Sequence, residues 1–100
     1  MIKEIDRTIH EPARLLLLIY LYSVDKADFT FLKQQTGMSQ GNLSSHLSKL
    51  ELAGYIEIEK KFKNKRPLTL AKISDSGREA FTSYVKEMHH YFSDLMALVG

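Results

Sequence analysis

Cysteine is absent from the 100 residues, which removes disulfides, thiolate metal sites and cysteine nucleophiles from consideration. Long apolar runs are missing too. The most apolar stretch, Leu15 to Leu21, is interrupted by Tyr20 and is far shorter than the roughly 20 residues that a membrane-spanning helix requires. The start lacks the apolar core of a secretory leader, because Lys3, Glu4, Asp6 and Arg7 break it up. The expected location is therefore the cytoplasm. There is no glycine-rich phosphate loop and no nucleophile elbow. Ser45 followed by His46 is no catalytic dyad, since consecutive helix residues point in different directions. No enzymatic activity is expected.

What is present suffices for one domain spanning residues 1–100, because 44% of the residues are apolar and can form a single core. The net charge of +2 conceals an uneven distribution. Residues 30–74 hold eight bases (Lys33, Lys49, Lys60, Lys61, Lys63, Lys65, Arg66, Lys72) against three acids (Glu51, Glu57, Glu59). The segments on either side are slightly acidic. Positive charge is thus concentrated in the middle of the chain, a distribution suited to a polyanionic partner.

The same middle segment contains the most unusual stretch, MSQGNLSSHLSKLELAGY from Met38 to Tyr55. Leu43, Leu47 and Leu50 recur at i, i+4 and i+7, giving one apolar stripe of a helix. The far side carries Gly41, Ser44, Ser45 and Ser48, flanked by Asn42 and Lys49, with no carboxylate before Glu51. Solvated helix faces usually mix acids and bases. Short neutral donors with one cation instead make a surface that can approach a polyanion. The plainer alternative is close packing against another helix. Ser39 is placed to cap the start, and Gly54 to end the helix in a left-handed conformation.

Along the chain, Ile2, Ile5 and Ile9 have helical spacing and predict a short amphipathic helix. Pro12 suits the first turn of the next helix, whose apolar face is expected to be Leu15, Leu16, Leu18, Ile19 and Tyr22. Phe29 is read as extended chain, with Thr30 capping a helix of about two turns that Gly37 ends. Two helices separated by so short a joint predict a helix-turn-helix over residues 30–54. From Tyr55 the period changes to two. Ile56, Ile58 and Lys60 alternate with Glu57 and Glu59, and a second extended run, Leu68 to Ile73, follows Pro67, so residues 55–74 predict a hairpin with its tip near Lys63, Asn64 and Lys65. Its segment KKFKNKR has no acid and one apolar residue, Phe62. The basic tip alternatively serves only to keep an edge strand soluble.

Ser74 opens the last element, a helix over residues 75–99. Phe81, Tyr84, Val85, Met88, Tyr91, Phe92, Leu95 and Val99 keep one stripe apolar for about six turns. Such a helix runs to roughly 35 Å, whereas a domain of this size is about 26 Å across. Its outer half should project, leaving an apolar patch that predicts a homodimer. The expected interface is Tyr84, Met88, Tyr91, Phe92, Leu95 and Val99, helped by Ile2, Ile5 and Ile9.

Four words of the sequence carry a family resemblance: IHEPARLLLL at 9–18, DFTFLKQQTG at 28–37, SQGNLSSHLSKLELAGYIEIEK at 39–60, and ISDSG at 73–77. In this order they resemble the winged-helix transcriptional regulators of the MarR/ArsR-like kind, over almost the whole chain. The resemblance implies an α+β fold, a winged helix-turn-helix with a two-stranded wing and a long C-terminal dimerisation helix. It implies binding of double-stranded DNA with the helix Ser39–Ala53 in the major groove. Gln40, Asn42, Ser44 and Ser45 would then lie near base edges, with Asn42 and Gln40 able to contact adenine bidentately. Ser39, His46 and Lys49 would meet phosphates. The wing tip, Lys61, Lys63, Lys65 and Arg66, would follow the backbone or the minor groove. A two-fold homodimer implies a palindromic operator.

The sequence departs from the metal-sensing branches of that family. Only Glu87, His89, His90 and Asp94 are candidate ligands, and although His90 and Asp94 share a helix face, His89 points elsewhere. No metal or other cofactor is expected, and any effector would have to sit at the dimer seam. The alternative function is a winged-helix module for protein–protein interaction without DNA binding.

Overall fold

The computed structural model describes residues 4–100. Ile2 lies outside the described residues. The elements are α1 (Pro12–Tyr22), β1 (Ala27–Asp28), α2 (Phe29–Thr36), α3 (Gln40–Leu52), β2 (Ile56–Lys63), β3 (Arg66–Ile73) and α4 (Asp75–Val99). The strands form one antiparallel sheet in the order β1-β3-β2.

Within the described residues, the expected N-terminal helix gives way to a turn over Arg7–Ile9. Asp6 Oδ1 accepts the backbone N–H groups of Thr8 (2.9 Å) and Ile9 (3.2 Å), offering the chain a local alternative to helix. The turn drives Ile9 into the core, where it is 0% exposed. In α1 the buried residues are Leu17, Leu18 and Leu21, while Ile19 and Tyr22 are exposed. The expected face is therefore rotated. Four consecutive leucines leave the phase of the helix undetermined until its neighbours choose a side.

The sheet has three strands rather than the two of the expected hairpin, because Ala27 and Asp28 pair with Ala71 and Leu70. Asp28, not Thr30, caps α2, accepting the N–H of Phe31 at 2.7 Å. Gly37 ends α2 with φ 71°, a conformation that glycine adopts without penalty. Three residues, Gly37 to Ser39, then join α2 to α3. The helix-turn-helix is formed. Leu43, Leu47 and Leu50 are all buried, as their spacing requires, each contributing roughly 1.5–3 kcal/mol of burial. They meet Leu17, Leu18, Leu21, Leu32, Ile56, Ala71, Ile73, Phe81 and Tyr84 in one core.

The ISDSG word is a weld. Ser74 Oγ accepts the N–H of Gly77 at 2.9 Å, capping α4, and donates to Gly54 O at 2.6 Å. Ser76 Oγ donates to the same carbonyl at 2.8 Å, and Ser74 N–H to Tyr55 O at 2.9 Å. Gly77 lies so close to Tyr55 that a Cβ there would be 1.9 Å from its carbonyl oxygen. The start of α4 is thereby fixed to the end of α3. The rest of α4 projects, giving the molecule extents of 57 × 25 × 21 Å. Only Gly77, Phe81 and Tyr84 are buried along its 25 residues.

Candidate nucleic-acid interface

Ser39 Oγ accepts the N–H of Asn42 at 3.1 Å and so starts α3 where the sequence requires. At the other end Gly54, at φ 79°, turns the chain into the sheet. Between these stops Gln40, Gly41, Asn42, Ser44, Ser45, Ser48 and Lys49 are all exposed. The alternative in which this face packs against another helix of the same chain is not what the structure shows. Ser44 and Ser48 line a cleft with Lys60 and Thr69, so the polar side of α3 opens toward the hairpin. Glu51 also borders this cleft.

The hairpin turns at Asn64 and Lys65, with φ 52° and 64°, the mirror-image two-residue turn that matches strand twist and favours asparagine. Its register pairs Ile58 with Ala71, Lys60 with Thr69, Phe62 with Pro67 and Lys63 with Arg66. Successive strand residues point to opposite faces. The buried Ile56, Ala71 and Ile73 mark the face that packs on the helices, and Ile58 packs against the same core. Lys60 and Phe62 therefore share that inner face, beyond the edge of the core. Lys61 belongs to the opposite face with Glu57 and Glu59.

That outer face is largely self-neutralised. Lys26 Nζ binds Glu59 Oε2 at 2.9 Å, and Lys61 Nζ is 3.5 Å from Glu59 Oε1. The hydrogen bond from Lys26, and then the charges of Lys26 and Lys61, hold the Glu59 carboxyl below its ordinary range. The same bond raises Lys26. The cations left to the inner face and the tip are Lys60, Lys63, Lys65 and Arg66, all exposed.

His46, expected at phosphates, is engaged by residues of its own protomer. It lies at the edge of the leucine stripe, its side chain is only 20% exposed, and its Nδ1 is 3.2 Å from Arg14 Nη1 and 3.6 Å from Glu11 Oε2. It joins α3 to α1. Arg14 Nε also donates to Thr8 O at 2.6 Å, tying the N-terminal turn into the same contact. Burial pushes the Glu11 carboxyl up, but the Arg14 and Ala13 backbone N–H groups, aided by the charges of His46 and Arg14, bring it below the usual range. Arg7, Arg14 and Lys49 border one open cleft beside the last turn of α3. Arg7 and Arg14 at this cleft, and Lys60 at the cleft beside the hairpin, were not among the contacts expected from the sequence. For Lys60 the signal was available, because the alternation of Ile56, Ile58 and Lys60 with Glu57 and Glu59 fixes its face.

Two members of the expected dimer interface are spent inside the protomer: Ile9, and Tyr84 at 6% exposure. Tyr84 Oη lies 2.8 Å from His10 Nδ1. Both help close the core and offer no surface to a second copy. Ile5 and Met88 are half-buried against that core, as Tyr91 is half-buried further along α4. Phe92, Leu95 and Val99 are exposed at 61%, 51% and 71%, and Val85 is exposed too. His90 and Asp94 form an exposed pair at 3.6 Å, and among the described residues no three metal-binding side chains converge. Among the described residues, no helix is long and apolar enough to cross a membrane.

The family model described as "Winged helix DNA-binding domain" matches residues 13–92. An uncharacterised protein of Methanocaldococcus jannaschii is 37% identical over 75 residues, which are 75% of this chain and 82% of that protein. The uncharacterised HTH-type transcriptional regulator YdgJ of Bacillus subtilis is 30% identical over 88 residues, 88% of this chain but 53% of YdgJ. Among solved structures, the transcriptional regulator homologue from Pyrococcus horikoshii superimposes with a TM-score of 0.85 at 28% identity, over 90% of this chain and 89% of its own.

Proposed function

The chain belongs to the winged helix DNA-binding domain family, and from that membership we propose that it is a homodimeric transcriptional regulator that binds double-stranded DNA sequence-specifically. The observation that carries this reading is the shared cleft: the open polar side of α3 and the inner face of the hairpin border the same space. One duplex can therefore meet both. In this reading α3 enters the major groove. Gln40 and Asn42 read base edges with Ser44 and Ser45, while Ser39 and Lys49 hold phosphates. Lys63, Lys65 and Arg66 grip the backbone beside the minor groove, where a narrow groove attracts cations. His46 positions α3 against α1 instead of touching DNA.

The dimer is supported by α4. Val85, Met88, Phe92, Leu95 and Val99 follow a spacing of three and four residues, the seam of a helix pair. All but Met88 are exposed in the protomer. Pairing two copies along this seam removes an apolar patch that water disfavours and sets two α3 helices in a fixed relation. A palindromic operator with half-sites about one helical turn apart follows.

The test is binding to duplex DNA as a function of salt, first with mixed sequence and then with fragments selected from random DNA. Affinity should fall steeply as salt rises. Replacing Lys63, Lys65 and Arg66 by alanine should make the log–log slope shallower by about 2 to 3, near 0.9 for each phosphate that is no longer neutralised. An unchanged slope would remove the wing from the interface. A protein that ignores duplex DNA at low salt would be an interaction module.

A further inference from the structure

Phe62 is the one apolar residue of the KKFKNKR segment, and the fold gives it no packing role. It is 76% exposed and belongs neither to the core nor to the residues packed against it. A single exposed phenylalanine is ordinary in itself, but inside a cationic hairpin it offers apolar surface that a partner can cover. Its position narrows the choice of partner. The strand phase puts Phe62 on the inner face, one step outward from Lys60, and roughly 6–7 Å further along the strand at about 3.3 Å per residue. Lys60 borders the cleft shared with Ser44 and Ser48 of α3. Directly across the hairpin stands Pro67, also exposed, so the pair forms a small apolar knuckle. Lys60 shares its face, Lys63, Lys65 and Arg66 follow at the tip, and the segment contains no acid. This charge favours a polyanion over an apolar protein surface.

We propose that Phe62, backed by Pro67, is an apolar wedge that the hairpin sets into the minor groove, against the sugars and the edge of a base step. The proposal rests on the DNA-binding reading above and adds a contact that charge does not supply. Apolar side chains placed this way part neighbouring base pairs, and the cost depends on the step that is opened, pyrimidine–purine steps being the most yielding. Phe62 would thus make the protein selective at a position where no hydrogen bond is made.

The test compares the full-length protein with Phe62→Ala, using duplexes that carry 2-aminopurine at successive positions. Binding of the wild-type protein is expected to raise 2-aminopurine fluorescence at one step per half-site, reporting unstacking. Phe62→Ala should abolish that signal and weaken binding about tenfold at every salt concentration, with an unchanged salt slope because no charge is removed. Its circular dichroism and sedimentation should match the wild type. If Phe62→Ala binds equally well, with the same fluorescence, the wedge is refuted while DNA binding stands. A variant that sediments as monomer assigns Phe62 to contact between copies and also refutes it. A wild-type protein that does not bind duplex removes both readings together.

Discussion

Replacing Gly77 by alanine tests the joint between the end of α3 and the start of the projecting α4. The added carbon would lie 1.9 Å from Tyr55 O, and 2.7 and 2.8 Å from C and Cα of the same residue. These are backbone atoms, and Tyr55 is held by its own N–H to Leu50 O and by Ser74 N–H to its carbonyl, so no side-chain rotation relieves the contact. Overpacking of this kind costs about 1–3 kcal/mol or more, while the helix gains at most about 1 kcal/mol from alanine in place of glycine. The net loss should be near 2 kcal/mol, lowering Tm by about 8–16 °C for a chain of this size at fixed protein concentration. Gly41→Ala is the control, because a Cβ there meets nothing within 4 Å. It should leave Tm unchanged or raise it by a few degrees. Thermal unfolding followed by circular dichroism reads both. A Gly77→Ala protein as stable as the wild type would mean that α4 is not held against Tyr55 as described.

Tyr55 donates to Asp6 Oδ2 at 2.5 Å, and that bond, with burial and the Asp6 charge, pushes its pKa from 10.0 up to about 12. The folded value exceeds the unfolded one, so the bond's contribution to stability is complete below pH 10 and is lost as pH rises through 10 toward about 12. Denaturant unfolding on either side of pH 10 should show this loss, and Tyr55→Phe should remove that part of it. Phe92→Glu combined with Leu95→Glu should yield monomers at micromolar concentration and weaken DNA binding without altering a groove contact, as linked sites give up their effective concentration. Sedimentation showing an intact dimer would refute the α4 seam.

The parts of the fold that were legible are those whose determinants are local. Leu43, Leu47 and Leu50 define the buried side of α3, Ser39 and Gly54 punctuate it, and Gly37 ends α2, each within a few residues of its effect. Strand β1 was not legible: two residues have no period, and their partners Ala71 and Leu70 are distant in sequence. The phase of α1 was hidden by Leu15 to Leu18, which place leucine on every side. Ile5 and Ile9 suggested a helix, yet Asp6 could satisfy the same backbone N–H groups in a turn. At the candidate site the exposed face of α3 followed from helix geometry. The assignment of Lys61 did not, since charge count alone does not say which face a strand residue occupies. Pairing with Glu59 puts Lys61 on the neutralised side, and Lys60 takes the inner one.

Whether α3 and the hairpin meet a duplex as one surface is decided by nuclear magnetic resonance of the isotope-labelled protein during titration with duplex DNA. Amide signals of Gln40 to Lys49 and of Lys60 to Arg66 should shift together, at the same DNA concentrations, while those of Glu57, Glu59 and Lys72 on the outer face stay in place. Shifts confined to α4, or to the outer face of the sheet with the α3 signals unmoved, would contradict it.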